Sequence, residues 1–79
     1  MKTSDKEKLR EFAARLRGVM NDAGIDAFIL SDWTDISENT ILSWCMGRCY
    51  PQVHNLEAIC DALMVSADYL LFGKEKSDV

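Results

Sequence analysis

Three cysteines and the one histidine of this chain lie close together in the sequence, and they are residue types that bind zinc. Cys45, Cys49, His54 and Cys60 fall within sixteen residues. Three thiolates and an imidazole suffice for tetrahedral zinc. The spacing is not a usual zinc-ligand pattern, and Gly47 and Pro51 interrupt the helix between the ligands. Zinc is therefore a weak alternative; the simpler prediction is no metal and no cofactor, with Cys60 in the core.

Residues for catalysis are not grouped in any pattern that the sequence shows. Enzymes that transfer acyl or phosphoryl groups need a nucleophile, a base and an orienting group, or a loop rich in glycine that holds phosphate. His54 has no such partners in the pattern, and we expect it on the surface near the start of a helix. The sequence therefore predicts a binding protein that is not an enzyme and has no small-molecule substrate.

The charge of the chain is acidic and unevenly distributed. The formal net charge is −4 and the isoelectric point is near 4.7. Six of the nine basic residues lie in the first seventeen positions, whereas residues 24–56 carry four acids and a single base, Arg48. Contacts with phosphate normally need lysine and arginine, so this balance is unusual for a protein that binds nucleic acid.

The composition indicates one packed domain. Apolar residues make up 48% of the 79 positions, which favours a globular chain over a disordered one. A core of this size gives only ~3–5 kcal/mol of net stability, so a partner subunit would help. The longest apolar runs are about four residues, too short for a membrane span. With no secretory signal and an odd number of cysteines, a soluble cytoplasmic protein is predicted.

Five short helices can be placed from their caps and their apolar spacing. Ser4 and Glu7 form a capping box before the first helix, whose apolar residues recur every three or four positions up to about Ala23. Gly24 ends that helix, and Asp26 caps the second. The other predicted bounds are Ala27 to Trp33 or Thr34, Ser37 to Met46, about Val53 to Met64, and Ala67 to Phe72. The fold class is therefore all-α, a compact five-helix bundle of residues 1–73 with a short flexible tail, residues 74–79.

The third helix has the clearest ends. Ser37 is placed to cap its start, Gly47 can adopt a left-handed stop, and Pro51 prevents continuation. Ile41 and Trp44 are three apart and are predicted to face the core. In the last helix, Leu70, Leu71 and Phe72 are expected to close the core from below.

Together these landmarks resemble the helix-turn-helix domain of the phage repressor and Cro class, an XRE-like and lambda-repressor-like domain. The resemblance runs from Gly24 to Gly73 and, with the first helix added, covers almost the whole chain without an insertion. The family usually has glycine in the turn where this chain has Asp35, and aspartate adopts the left-handed conformation more readily than most residues. The matching residues are Gly24, Ile25, Asp26, Leu30, Ile36, Ser37, Thr40, Ile41, Trp44, Gly47, Pro51, Leu56, Ile59, Ala62, Leu63, Val65, Ser66, Leu70, Leu71, Phe72 and Gly73.

The resemblance implies a sequence-specific DNA-binding transcriptional regulator, of phage or mobile-element type, that places the third helix in the major groove. Its implied partners are operator DNA, which is double-stranded, and a second copy of the chain in a homodimer. Asn39 would pair with adenine, Glu38 would accept from cytosine, and Leu42 would meet a thymine methyl group. Arg10 and Arg17 lie seven apart on one side of the first helix, where they either contact phosphate or form part of an ordinary solvated face. The full set of DNA-binding residues that the resemblance implies is Ser37, Glu38, Asn39, Leu42, Ser43, Arg48 and Ala27.

A second interpretation keeps the fold and changes the partner. A mixed acidic and apolar surface suits a protein partner better than a phosphate backbone. In this alternative the chain is a protein-interaction module on a helix-turn-helix scaffold, and its recognition face binds DNA poorly. The residues that would form this surface are Asp32, Asp35 and Glu38 with Phe28, Trp33, Leu42, Met46 and Tyr50.

Overall fold

The computed structural model describes residues 5–74, and within this range the backbone forms helices and no strand. The all-α fold with five helices is confirmed. Ser4 and residues 75–79 lie outside the described residues, so the capping box, the domain bounds and the tail stay predictions. The helices are α1 (Asp5–Ala23), α2 (Ala27–Thr34), α3 (Glu38–Cys45), α4 (Val53–Leu63) and α5 (Ala67–Phe72).

Short polar side chains start three of the helices, and the caps predicted at Asp26 and Ser37 are confirmed. Asp26, Ser37 and Ser66 each accept a hydrogen bond from a backbone N–H in the first turn of the helix that follows, at 3.0 or 3.1 Å. Helices α3 and α4 each end one residue earlier than predicted, because Met46 and Met64 are C-caps and not helical residues. Met64 adopts a left-handed φ of 59°, which ends the helix.

The core lies where one face of each helix meets the others. Helix α1 packs against α3, α4 and α5, and α2 packs against α3 and α4. Ile41 and Trp44 are both buried, which confirms their predicted inward orientation. The largest fully buried side chains are Phe12, Leu16, Leu30, Ile41, Trp44, Ile59 and Leu70.

The end of α5 departs from the prediction. Leu70 is fully buried and Leu71 is half-buried, but Phe72 is 65% exposed. Successive residues on a helix point about 100° apart, so three in a row cannot face one core. The prediction that Phe72 closes the core was therefore wrong.

Arg15 ties the end of α5 to α1. Its Nε donates to the carbonyl of Leu70 and its Nη2 to the carbonyl of Leu71, each at 2.9 Å. Carbonyls in the last turn of a helix have no partner within the helix, so the guanidinium caps them. Gly73 ends α5 with a φ of 74°, and a Cβ built there would lie 3.3 Å from Nη1 of Arg15. No role was predicted for Arg15; the signal in the sequence was its place between Phe12 and Leu16, at the edge of the apolar face of α1.

Replacing Arg15 with methionine should lower the free energy of unfolding by about 1–2 kcal/mol. Methionine keeps much of the apolar stem but removes both donors, and a net hydrogen bond contributes ~1 kcal/mol. Urea unfolding followed by circular dichroism measures the change. The matched control is Arg10→Met, an exposed position on the same helix, where we expect less than ~0.5 kcal/mol. Equal loss in the two variants would show that the Arg15 hydrogen bonds do not stabilise the fold.

No helix within residues 5–74 has both the length and the apolar character needed to cross a membrane.

Candidate nucleic-acid interface

The turn between α2 and α3 is held by local hydrogen bonds. Asp35 adopts the left-handed conformation with a φ of 61°, as its place in the turn predicted, and its N–H donates to the carbonyl of Ser31 at 2.8 Å. The hydroxyl of Thr34 donates to the carbonyl of Leu30 at 2.8 Å and accepts from the N–H of Ile36 at 3.3 Å. These contacts determine how α3 leaves α2.

The outward face of α3 carries few side chains that are free to meet a base. Glu38, Asn39 and Leu42 are exposed. The Ser37 hydroxyl caps α3 and donates to the hydroxyl of Thr40 at 2.8 Å. The half-buried Ser43 hydroxyl donates to the carbonyl of Asn39 at 3.1 Å. Within residues 5–74 the side chains of Glu38 and Asn39 have no such internal bond, so base reading by polar atoms would fall mainly to these two.

The structure brings α1 arginines to the C-terminal end of α3. The Nη1 of Arg17 donates to the carbonyl of Cys45, the last residue of α3. Arg10 packs beside Gly47, because a Cβ built on that glycine would lie 3.8 Å from Cγ of Arg10. Arg48 follows Gly47 in the chain and is exposed. Three cations therefore gather where the negative end of the α3 dipole lies.

The first turn of α2 is less suited to phosphate than the resemblance implied. Ala27 is buried, so its side chain does not reach a phosphate. Asp26 places its carboxylate at this helix end, where Oδ1 accepts from the N–H of Ile29 at 3.0 Å. A carboxylate at a helix N-terminus stabilises the helix but repels another anion.

Aromatic and acidic side chains share the surface near the turn. Phe28 is 66% exposed and Trp33 is 54% exposed, whereas Ile29 is half-buried. Of the three consecutive apolar residues Phe28, Ile29 and Leu30, it is Phe28 that faces solvent. Phe28, Asp32 and Asp35 line a shallow depression of about 380 Å³ together with Ser37, the N-cap of α3.

The candidate zinc ligands do not come together. Cys45 and Cys60 are buried, whereas Cys49 and His54 are exposed. In the part of the chain that the structure describes, no group of three histidine, cysteine or acidic side chains is placed to hold a metal ion. Burial raises the pKa of Cys45, an effect that the Arg17 charge partly opposes.

The other buried thiol behaves in the same way. Burial raises the pKa of Cys60, and the negative charge of Asp61 adds to the shift. A raised pKa keeps a thiol protonated, and it is the thiolate that binds metal. Cys60 therefore acts as a small apolar residue of the core.

The capped helix pair, its left-handed turn and the buried face of α3 point to one family of domains. A family model for the Cro/C1-type HTH DNA-binding domain matches residues 15–70. The chain belongs to this family. The match begins in α1, covers α2, α3 and α4 completely, and ends at Leu70 in α5, so the resemblance seen in the sequence is confirmed. Neither curated proteins nor solved structures gave a match to this chain.

Membership of the Cro/C1-type family supports a DNA-binding regulator. The family is one of DNA-binding domains, which are typically not enzymes. A fold of this kind is a scaffold for a binding face, and the partner of that face has to be argued from its own residues.

Proposed function

We propose that this Cro/C1-type domain is a sequence-specific transcriptional regulator of the phage repressor kind, which reads the major groove with residues 37–46. The observation that supports this most is the exposed start of α3. There Glu38 and Asn39 carry polar atoms without an internal hydrogen bond among residues 5–74, and Leu42 adds an exposed apolar contact. Residues at the start of the second helix of such a motif are those that meet base edges.

Contacts with the DNA phosphate backbone in this proposal come from the arginines that lie near the C-terminal end of α3. Arg10 and Arg48 are exposed, and Arg17 uses one N–H for the carbonyl of Cys45. A guanidinium has five N–H donors, so Arg17 keeps others for a phosphate oxygen. These cations offset part of the acidic charge near the turn, and the net interaction with DNA would depend strongly on salt.

A homodimer completes the proposal, because two copies of α3 double the contacts that a single copy of this acidic chain makes. The experiment is selection of random duplex DNA by the purified chain, at low and at near-physiological salt, followed by sequencing. We expect a motif with two-fold symmetry and half-sites about one helical turn apart. Enrichment of a single half-site would remove the dimer from the proposal, and no enrichment at low salt would remove DNA reading.

Asn39→Ala should cost about 1–3 kcal/mol of binding free energy at one base pair of the selected site and little at the others. The reason is that alanine removes both groups of an amide that pairs with adenine. Affinities for the selected site and for its single-base variants measure this. Ser43→Ala is the matched control, because the Ser43 hydroxyl donates to a backbone carbonyl already. If the two variants have the same base preferences as the unchanged chain, α3 does not read that base through Asn39.

Arg48→Ala should weaken binding to every duplex to a similar extent and reduce the salt slope by about one unit. A lysine or arginine on a phosphate contributes affinity without sequence preference. Titrations at several salt concentrations provide the slope. Lys74→Ala, at an exposed position that follows α5, removes the same charge from outside the helix-turn-helix and should leave the slope nearly unchanged. A slope that responds equally to both variants would place the phosphate contact elsewhere.

A second candidate function is a protein-interaction module, and the exposed Phe28 and Trp33 beside Asp32 and Asp35 favour it. Exposed aromatic residues suit a protein interface, and the carboxylates would repel DNA. Phe28→Ser is expected to leave DNA affinity unchanged under the first proposal. It would abolish binding of a protein partner under the second.

A further inference from the structure

A groove separate from α3 is lined by residues of α1, of the segment between α3 and α4, of the start of α4, and of the end of α5 with Lys74 after it. Its volume is about 580 Å³. Leu56 and Leu71, both half-buried, line it, while Val53 is 74% exposed and Phe72 is 65% exposed. Tyr50 forms another part of the lining, and its ring lies against buried Phe12 with the ring centroids 5.3 Å apart. The groove is therefore apolar and open, and its aromatic wall is anchored to the core.

The net charge of this groove is positive, whereas the net charge of the protein is negative. Lys8, Arg15 and Lys74 line it together with a single acid, Glu11. Residues 5–74 contain seven basic and eleven acidic side chains, so the groove holds three of the seven bases and one of the eleven acids. Lys8 and Lys74 are exposed. Arg15 adds charge from a guanidinium fixed by the two α5 carbonyls.

We propose that this groove binds an amphipathic acidic segment of a partner protein. Apolar side chains of the segment would pack on Val53, Leu56 and Phe72, and its carboxylates would lie near Lys8 and Lys74. A phosphate backbone satisfies the cations but leaves Val53 and Phe72 without an apolar partner, so the groove does not match DNA. This proposal is independent of what α3 binds.

A second copy of this chain fits the groove less well than an acidic segment. A two-fold interface places the same patch of both copies together. Each copy would then contribute three bases and one acid to the contact, and an excess of like charge in an interface is unfavourable. The homodimer proposed above therefore uses another face.

The experiment is selection of random peptides displayed on phage against the full chain. We expect the enriched peptides to combine aspartate or glutamate with apolar residues. Synthetic copies of them should shift the backbone amide signals of Val53, Phe72 and Lys74 in ¹⁵N-labelled protein. The Lys8→Glu change should weaken their binding roughly tenfold, since it replaces an attraction at the rim with a repulsion.

The matched control is Lys6→Glu, because Lys6 is exposed on the same helix and does not line the groove. We expect a change of less than about twofold in this control. Lys74→Glu reverses the other exposed lysine of the groove and should also weaken peptide binding. Circular dichroism spectra identical to that of the unchanged chain show that a variant is folded.

Four outcomes would overturn the proposal. They are the absence of enriched peptides, enrichment of neutral or basic peptides, shifts confined to α2 and α3, and equal weakening by Lys6→Glu and Lys8→Glu. Sedimentation provides a further test of what occupies the groove. If the chain forms a dimer that persists in the presence of an enriched peptide and that Val53→Glu dissociates, a second copy occupies the groove.

Discussion

Trp44→Ala is expected to leave the chain largely unfolded at 25 °C. Trp44 is the largest of the fully or almost fully buried side chains, with 2% of its surface exposed, and it lies where α3 joins the core. Removing a buried tryptophan side chain costs about 3–5 kcal/mol, through lost apolar burial and the cavity that remains. A single core of this size provides only ~3–5 kcal/mol in total. Far-UV circular dichroism during urea unfolding measures the loss, because it does not depend on tryptophan fluorescence.

The chain provides its own control for that experiment in its second tryptophan. Trp33 lies near the end of α2 and is 54% exposed. Trp33→Ala should change the free energy of unfolding by less than about 1 kcal/mol, because most of the ring contacts solvent. A loss of stability for Trp33→Ala as large as that for Trp44→Ala would contradict the burial assigned to these residues.

Neutralising the acids near the turn should raise affinity for random duplex DNA about 30- to 100-fold at low salt. The variant combines Asp32→Asn, Asp35→Asn and Glu38→Gln. Each carboxylate near a phosphate opposes binding by up to ~1 kcal/mol in poorly screened solution. Asparagine at position 35 is chosen because it also tolerates the left-handed φ of 61° found there. The gain should shrink as salt increases, since screening already removes the repulsion.

The control for this triple variant changes three acids on α4 and α5. Glu57→Gln, Asp61→Asn and Asp68→Asn alter the net charge equally, and all three positions are exposed. We expect a much smaller gain in affinity, since these residues lie outside α2 and α3. An equal gain would mean that net charge alone, and not the recognition surface, limits binding. No measurable DNA binding by the first variant at low salt would favour the protein-interaction module.

The helices of this chain were largely predictable because their signals are local. A cap acts on an N–H within the next three residues, as Ser37 does for Thr40. Apolar residues at three- and four-residue spacing define one face, which is why Ile41 and Trp44 could be placed inside. The errors fell at helix ends, where Met46 and Met64 act as caps and Phe72 turns away from the core.

The site was predictable only in part. The resemblance placed Glu38, Asn39 and Leu42 at base-facing positions of α3, and all three are exposed. Their contacts with bases stay a prediction. The hydrogen bond from the Ser43 hydroxyl to the carbonyl of Asn39 was not expected, although serine in a helix often donates to the carbonyl four residues earlier.

The five helices, the turn at Asp35 and the family could be predicted from the sequence, since these depend on residues no more than a few positions apart or on a register that runs along the chain. The contacts of the α1 arginines could not be predicted in this way, because they join residues that are far apart in the chain. Arg17 contacts a carbonyl 28 residues away and Arg15 contacts carbonyls 55 and 56 residues away. Such pairs form only when the helices have packed, and the packing depends on how all the apolar faces fit together. No local sequence pattern therefore predicted the arginines beside the C-terminal end of α3 or the basic groove beside α5.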